Sequence, residues 1–406
     1  MYDRFIARQP LLDTHLRLWG YELLFRDSES GNSFQPPAAT AQVIANSTMV
    51  FQWSDLVGDT RAFLNFSPAE LVNGAALLLP RKQTVIEVPQ DAPLTDEVVA
   101  ACKGLHAMGY SLALDGFEDL PEQQALVPVC SYLKVDLRST SPVLQAEISR
   151  KYANNSATAP KLVAKKIENW SEHDRARKLQ FTLFQGFFFL EPQVLRHGDI
   201  PPAKVNALQL LSVVQQSPLD ISAVESILRR DPGLTYKLLR YLNSPIMERR
   251  AEVRSISNAI SLLGEQLFRR WATLVAVITP SQEKPNELLH MALTRAFLCE
   301  QIAQRLHQKE NAYEFFLMGL LSLTPAILDQ PLSHIAAELP LSDRLGAAMR
   351  GEPNSLRYAL DAVLAYEQAE WPDFVVQMER LALPEEAMPG FFVAANQAAH
   401  EVISAP

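Results

Sequence analysis

Polar and charged side chains recur at the ends of short apolar runs through the first half of the chain. Glu22 lies in WGYELLFR, Asn65 in FLNFSPAEL and Glu87 in TVIEV. Asp115 ends SLALD, Lys134 and Asp136 lie in YLKVD, Glu168 follows LVAKKI, and Gln185-Gly186 follows FTLF. Several carboxylates with an amide and an ammonium group suit a hard divalent cation acting on a phosphate ester. Any one of them alone reads as a cap, a turn former or a solvated residue. Their repetition at equivalent points is the signal, and it calls for a scaffold that gathers the ends of the runs in one place.

The apolar runs are Phe5–Ala7, Leu18–Phe25, Ala62–Phe66, Val85–Val88, Ser111–Leu114, Tyr132–Val135, Leu162–Ala164 and Phe181–Phe184. Amphipathic stretches lie between several of them, including Ala38–Val50 and Asp96–Met108, the latter followed by Gly109 as a C-cap signal. Short runs alternating with helices predict βα units and a parallel sheet. About eight runs in under 200 residues point to a compact barrel of the TIM type, with an open doubly wound sheet as the competing architecture. In a barrel the C-terminal strand ends converge on one mouth, where active sites are built.

Near residues 191–203 the segment EPQVLRHGDIPPA breaks both periodicities and marks a boundary. Beyond it the pattern is helical. Lys204–Val214 has apolar residues at helical spacing, and Ile221, Val224, Ile227 and Leu228 form a second face. Asp231-Pro232 opens a third helix to about Leu242, stopped by Asn243-Ser244-Pro245. Ile256–Leu263 ends at Gly264, a C-cap candidate, and Asn286–Leu306 forms a long amphipathic helix with Leu289, Leu293, Ala296, Ile302 and Leu306 near one face. The expected domains are a barrel over 1–195 and an all-helical domain over 196–406.

The 406 residues carry a net charge of −9, which argues against a nucleic-acid binder working by phosphate neutralisation. The odd, widely spaced cysteines Cys102, Cys130 and Cys299 form no disulfide framework or zinc spacing, so a reducing cytoplasm is the expected compartment. The opening MYDRFIARQP predicts no secretory signal, and no apolar run approaches the ~20 residues of a spanning helix, so no membrane insertion is expected.

The ordered set in the first half resembles the EAL domain, a metal-dependent barrel that hydrolyses cyclic di-GMP. RQPLLDTHLRLWGYELLFR is similar to that family's QPI…GxEALxR segment, LNFSPAEL to NLSP, and VIEV to the first half of LEITE. LALDGF is similar to DDFG, LKVD to KID, VAKKIE to AEGVE, and QGFFF to QGY. The resemblance covers about residues 4–192. It implies Glu22, Asn65, Glu87 and Asp115 as a metal set for Mg2+ or Mn2+, and Lys134 as a catalytic partner. It implies Gln9, Arg26, Lys134, Asp136, Glu168 and Gln185 as contacts for the nucleotide.

Two departures bear on catalysis. The second Asp of DDFG, a metal ligand in active members, is Gly116, and the Glu of AEGVE, beside the water-activating site, is Lys165. A two-metal site needs enough carboxylate to hold two cations about 4 Å apart. A lysine roughly 5 Å from a dication, at an effective dielectric of about 20, repels it by roughly 6–7 kcal/mol. Lys165 is then expected to fill the vacated metal position and pair with Glu22, Glu87 or Asp115. The remnant catalytic set, Glu22, Lys134 and Lys165, is therefore not expected to be competent, and a metal cofactor enters only if the protein is a working phosphodiesterase with an altered site.

The second half resembles the HDOD domain through IPPAKVNALQLLS, DPGLTYKLLRYLNSP and VRSISNAISLLGEQLFRRW, over about residues 198–400. Metal-binding HD proteins follow a Gly-Leu-Leu run with His-Asp. Here Gly319-Leu320-Leu321 is followed by Ser322-Leu323, and His290, His307 and His334 lack ligand spacing. The joint resemblance implies cyclic-di-GMP-linked control of motility, surface attachment or biofilm formation. The barrel would serve as a binding or docking module, with or without cyclic di-GMP, and the HDOD domain would receive a protein partner.

Overall fold

The computed structural model describes residues 4–27, 56–153, 159–193, 202–230 and 264–404. The expected helix Ala38–Val50, the Asp231-Pro232 helix to Leu242 with its Asn243-Ser244-Pro245 stop, and the Ile256–Leu263 helix lie outside the described residues, as does most of the 191–203 boundary segment. The chain divides into two compact units. The first is Met1–Glu191 with Ala365–Pro372 and Glu386–Pro389; the second is Pro192–Leu364 with Asp373–Glu385 and Gly390–Pro406.

The first unit is a closed barrel of strands β1 (Arg4–Asp13), β2 (Leu18–Asp27), β3 (Arg61–Asn65), β4 (Thr84–Val88), β5 (Ser111–Leu114), β6 (Tyr132–Asp136), β7 (Lys161–Ile167) and β8 (Leu183–Gly186), hydrogen-bonded in sequence order. From β2 to β8 neighbours are parallel, whereas β1 runs antiparallel to both β2 and β8. This corrects the expectation of an all-parallel sheet. A parallel crossover needs a dozen or more residues, and only Thr14–Arg17 separate β1 from β2. Asp13 builds that turn: Oδ1 accepts from the backbone N–H of His15 at 2.8 Å and of Arg17 at 3.0 Å, and Leu16 takes φ +59°.

Helices α1 (Pro68–Val72), α2 (Asp96–Ala107), α3 (Pro142–Tyr152) and α4 (Trp170–Lys178) connect the strands, with side-chain caps at Ser67, Thr95, Ser141 and Asn169. Helix α2 closes as expected at Gly109, where Tyr110 N–H reaches Leu105 O and Gly109 N–H reaches His106 O. Helix α4 closes the same way without glycine. Gln180 takes φ +60° and Phe181 N–H bonds to Ala176 O. That cap consumes Phe181, so β8 starts at Leu183, two residues later than the apolar run predicts.

Inside the barrel Leu11, Phe63, Val85, Ala113, Tyr132, Val163 and Leu183 form one buried layer, a single residue from each of seven strands. On β2 the corresponding register position is Gly20, opposite Leu11. Gly20 is demanded by packing, since a Cβ there would lie 2.5 Å from the Arg61 carbonyl oxygen. Trp19 packs against the layer, donates from Nε1 to Tyr132 OH at 3.2 Å and lies under the Arg61 guanidinium, 4.4 Å from its ring centroid.

The second unit is helical: α5 (Pro202–Gln215), α6 (Ile221–Arg230), α7 (Glu265–Ile278), α8 (Asn286–Arg305) and α9 (Ala312–Leu321), followed by six further helices among the described residues between Thr324 and Ser404. Gly264 serves as the N-cap of α7, and the apolar stretch Trp271–Ile278 is helical. Helix α8 differs from the one-faced amphipathic reading. Glu287, Thr294 and Arg295 are buried alongside Leu289, Leu293 and Ile302, because the helix is embedded in the unit. A Cβ on Gly319 of α9 would lie 2.4 Å from the Arg295 carbonyl oxygen, so the glycine lets α8 and α9 touch through their backbones. No helix among the described residues is long and apolar enough to cross a membrane.

Adding a methyl at Gly20, where a Cβ meets the Arg61 carbonyl, tests the layer beneath the mouth. Gly20→Ala is expected to destabilise the barrel by about 1–3 kcal/mol, read from the urea midpoint of its unfolding transition.

Candidate functional site at the barrel mouth

The period of two along a strand carries the apolar layer directly into a polar one. Two residues toward the mouth from each layer position stand Gln9, Glu22, Asn65, Glu87, Asp115, Lys134, Lys165 and Gln185, one from each strand or its end. On β1, which runs the other way, the step is backwards, from Leu11 to Gln9. All eight come from the set singled out in the sequence.

The ring is wired internally. Lys134, fully buried, donates from Nζ to Glu22 Oε2 at 2.7 Å and forms a second, short ion pair with Glu87. Asn65 Nδ2 donates to Glu22 Oε1 at 3.1 Å. Gln185 Nε2 donates to Glu22 Oε2 at 2.6 Å and to Gln9 Oε1 at 2.7 Å. Of the three partners open to Lys165, the structure assigns Asp115: Nζ lies 2.6 Å and 2.8 Å from its two carboxylate oxygens. Glu87 Oε2 and Gln185 Oε1 are buried with no hydrogen-bond partner among the described residues.

Three carboxylates face two ammonium groups, and burial sorts them. Burial alone would raise the pKa of Glu22, but the charges of Lys134 and Lys165, helped by hydrogen bonds from Lys134 and Gln185, outweigh it and hold the group well below the ordinary carboxylate range. Glu87 goes the other way. Burial, reinforced by the neighbouring charges of Glu22 and Asp115 and only partly offset by Lys134, pushes it up to about 8. Lys134 loses by burial and gains more from Glu22, Glu87 and Asp115, so it stays protonated. The ring is then close to neutral at neutral pH.

A second tier of pairs flanks it. Lys166 Nζ lies 2.6 Å from Asp136 Oδ2, and Arg138 pairs with Glu168. Asp136 also accepts from the backbone N–H of Arg138 at 2.9 Å, and burial is outweighed by Lys166 and these bonds, which lower its pKa. Glu168 is exposed and pairs with Arg138, whereas Lys134 and Gln185 are buried and Gln9 is half-buried in the ring. Arg26 holds a register position on β2 opposite Phe5, and its side chain falls outside the described residues. Among the described residues no three His, Cys, Asp or Glu side chains are grouped so as to hold a metal ion. His290 and His334 lie beside Glu287 and Glu338 at 4.0 Å and 3.5 Å, and Ser322, at the HD position, donates to Gly319 O at 2.6 Å.

Sequence reasoning missed Lys166, Arg138 and Gln90. Between Ala164 and Ile167, β7 carries one residue more than β8, and Lys166 at that bulge takes φ +58°. Strict alternation would send Lys165 and Lys166 to opposite faces; the bulge lets both meet mouth carboxylates. No glycine or asparagine signals it. Gln90 lies across Gly116, which has φ +56°, and nothing local announces that overlap.

Two outcomes follow from the wiring. Lys134→Met strands the buried Glu22 carboxylate and removes the partner of Glu87, and is expected to cost about 3–5 kcal/mol of barrel stability in urea titration. The raised Glu87 pKa gives a pH signature. Its contribution is fully present below its ordinary value of 4.5 and is lost as pH rises toward about 8. Wild type is therefore expected to lose stability relative to Glu87→Gln between about pH 5 and pH 8, a trend that thermal unfolding across that range reads directly.

Comparisons with known proteins place the chain in a family. The HDOD domain family matches residues 200–324. The cyclic di-GMP phosphodiesterase CdgJ of Vibrio cholerae serotype O1 is 32% identical over 376 residues, covering 91% of this chain and 86% of the relative. The uncharacterized protein YuxH of Bacillus subtilis strain 168 is 31% identical over 379 residues, covering 90% and 91%. Among solved structures, BlrP1 of Klebsiella pneumoniae in a manganese and cyclic-di-GMP complex is similar over 46% of this chain and 55% of its own, at 21% identity and a TM-score of 0.37. With near full-length relatives above 30% identity, a closed eight-stranded barrel and an HDOD segment behind it, the chain belongs to the EAL–HDOD family.

Proposed function

We propose that this protein is a cyclic-di-GMP-linked regulator that has lost hydrolysis and acts through contacts, its HDOD domain receiving a protein partner in control of motility, surface attachment or biofilm formation. The link to cyclic di-GMP is supported by the named activity of the Vibrio relative and by the full-length similarity to it. The loss of hydrolysis is supported by one observation above the rest: the carboxylates at the mouth are already neutralised by the protein's own ammonium groups, Lys134 and Lys165.

A pair of divalent ions brings four positive charges. The ring offers three carboxylates, two of them bound to Lys134 and the third to Lys165, and residue 116 adds no carboxylate. The residues present do not fit a two-metal centre. What remains is an amide-rich mouth whose rim carries Lys165, Lys166 and Arg138, each paired with a carboxylate. A phosphate diester held there without cleavage would take its contacts from these donors in place of Asp115, Asp136 and Glu168. Occupancy of the mouth can change partner binding only to the extent that the ligand favours one of two states.

A second reading, a working phosphodiesterase with a rearranged site, is favoured by the name of the Vibrio relative and by the retained Glu22, Asn65, Glu87, Asp115 and Lys134. Purified protein incubated with cyclic di-GMP and Mg2+ or Mn2+ separates the two. We expect no linear pGpG above a protein-free blank; pGpG formation that Glu22→Ala abolishes would establish the second reading. Calorimetric titration with cyclic di-GMP in the absence of metal then decides between a ligand-responsive regulator, which gives binding heat, and a pure scaffold, which gives none.

A further inference from the structure

We propose that Gln90 is a positioning residue that holds the mouth without a side chain at position 116, so that a carboxylate there cannot be restored by one substitution. The inference rests on the reading of the mouth as metal-free. Gly116 follows Asp115 directly and has φ +56°. Backbone conformation alone does not explain the glycine, because aspartate and asparagine enter the left-handed region at modest cost. The space does. An added Cβ would lie 2.4 Å from Gln90 Cδ and Oε1 and 2.5 Å from Gln90 Cβ.

Neither partner can step aside cheaply. The chain on both sides of Gly116 is pinned to neighbouring strands, since Asp115 N–H bonds to Val88 O at 3.0 Å and Phe117 N–H to Lys134 O at 2.8 Å. The Gly116 carbonyl also accepts from Gln123 Nε2 at 3.3 Å. Gln90 is exposed in the turn after β4 and its amide end could swing away. Its Cβ is fixed to the backbone and is itself within clash distance, so the turn would have to move with it. The glycine at 116 and the glutamine at 90 are thus one feature, with Gln90 in the space that a side chain at 116 needs.

Two measurements test this. In a stability cycle, Gly116→Ala is expected to lower the barrel's Tm by about 5 °C in the wild-type background and by less than half of that beside Gln90→Gly. Equal losses in both backgrounds would overturn the proposal. In Mn2+ titrations followed by electron paramagnetic resonance, Gly116→Asp with Lys165→Glu is expected to bind no more tightly than wild type, and adding Gln90→Gly to raise affinity at least tenfold. Equal affinity for the double and triple variants would also overturn it. Two tightly bound Mn2+ ions in the wild-type protein would refute the metal-free reading instead, and the stability cycle, which involves no metal, would still decide the pairing of Gln90 with Gly116.

Discussion

Two lysine ammonium groups held among three carboxylates in the mouth of the barrel set the character of this protein. Lys134 lies between Glu22 and Glu87 in a fully buried position, and Lys165 closes on Asp115. Buried charges survive only when paired and hydrogen-bonded. The ring meets that condition at Glu22, which Asn65 and Gln185 complete while Gln9 accepts from Gln185. Glu87, whose Oε2 has no partner among the described residues, is instead pushed toward its neutral form. The same electrostatics that make the barrel stable make its mouth a poor host for further positive charge.

The scaffold explains why those groups meet. Each parallel strand from β3 to β8 places an apolar side chain in the buried layer and a polar one two residues further on. Strand β2 does the same with Gly20 in the layer and Glu22 beyond it, so eight strands deliver eight groups to one mouth. Antiparallel β1 joins in by running its pattern backwards, with Gln9 opposite Glu22. Around the ring, the β7 bulge at Lys166 and the glycine at 116 tune the rim, one by adding a cation and the other by withholding a carboxylate. In the second unit the corresponding economy is Gly319. It serves close packing of α9 on α8, and the Ser322 hydroxyl that follows is spent on the Gly319 carbonyl.

Much of this was legible in the chain, for a physical reason. Strand-end polar residues interrupt apolar runs at a period of two, so Glu22, Asn65, Glu87, Asp115, Lys134, Lys165 and Gln185 stand out wherever the runs do. The reversal of β1 was missed because a run of three apolar residues carries no direction, although the four-residue connection to β2 does. The left-handed backbone at Lys166 and Gln180 falls on residues that do not advertise it. Gln90 over Gly116 is a contact between two loops, and local sequence holds no trace of it. Helix α8 looked one-faced because Glu287, Thr294 and Arg295 resemble a solvated side, whereas the fold buries them.

The central claim is one of charge balance, and it is tested most directly by diffraction at the manganese edge from crystals of the wild-type protein soaked in Mn2+. The account predicts no anomalous peak between Glu22, Glu87 and Asp115, with Lys165 still on Asp115. Two well-occupied manganese ions there, with Lys165 turned away, would contradict it.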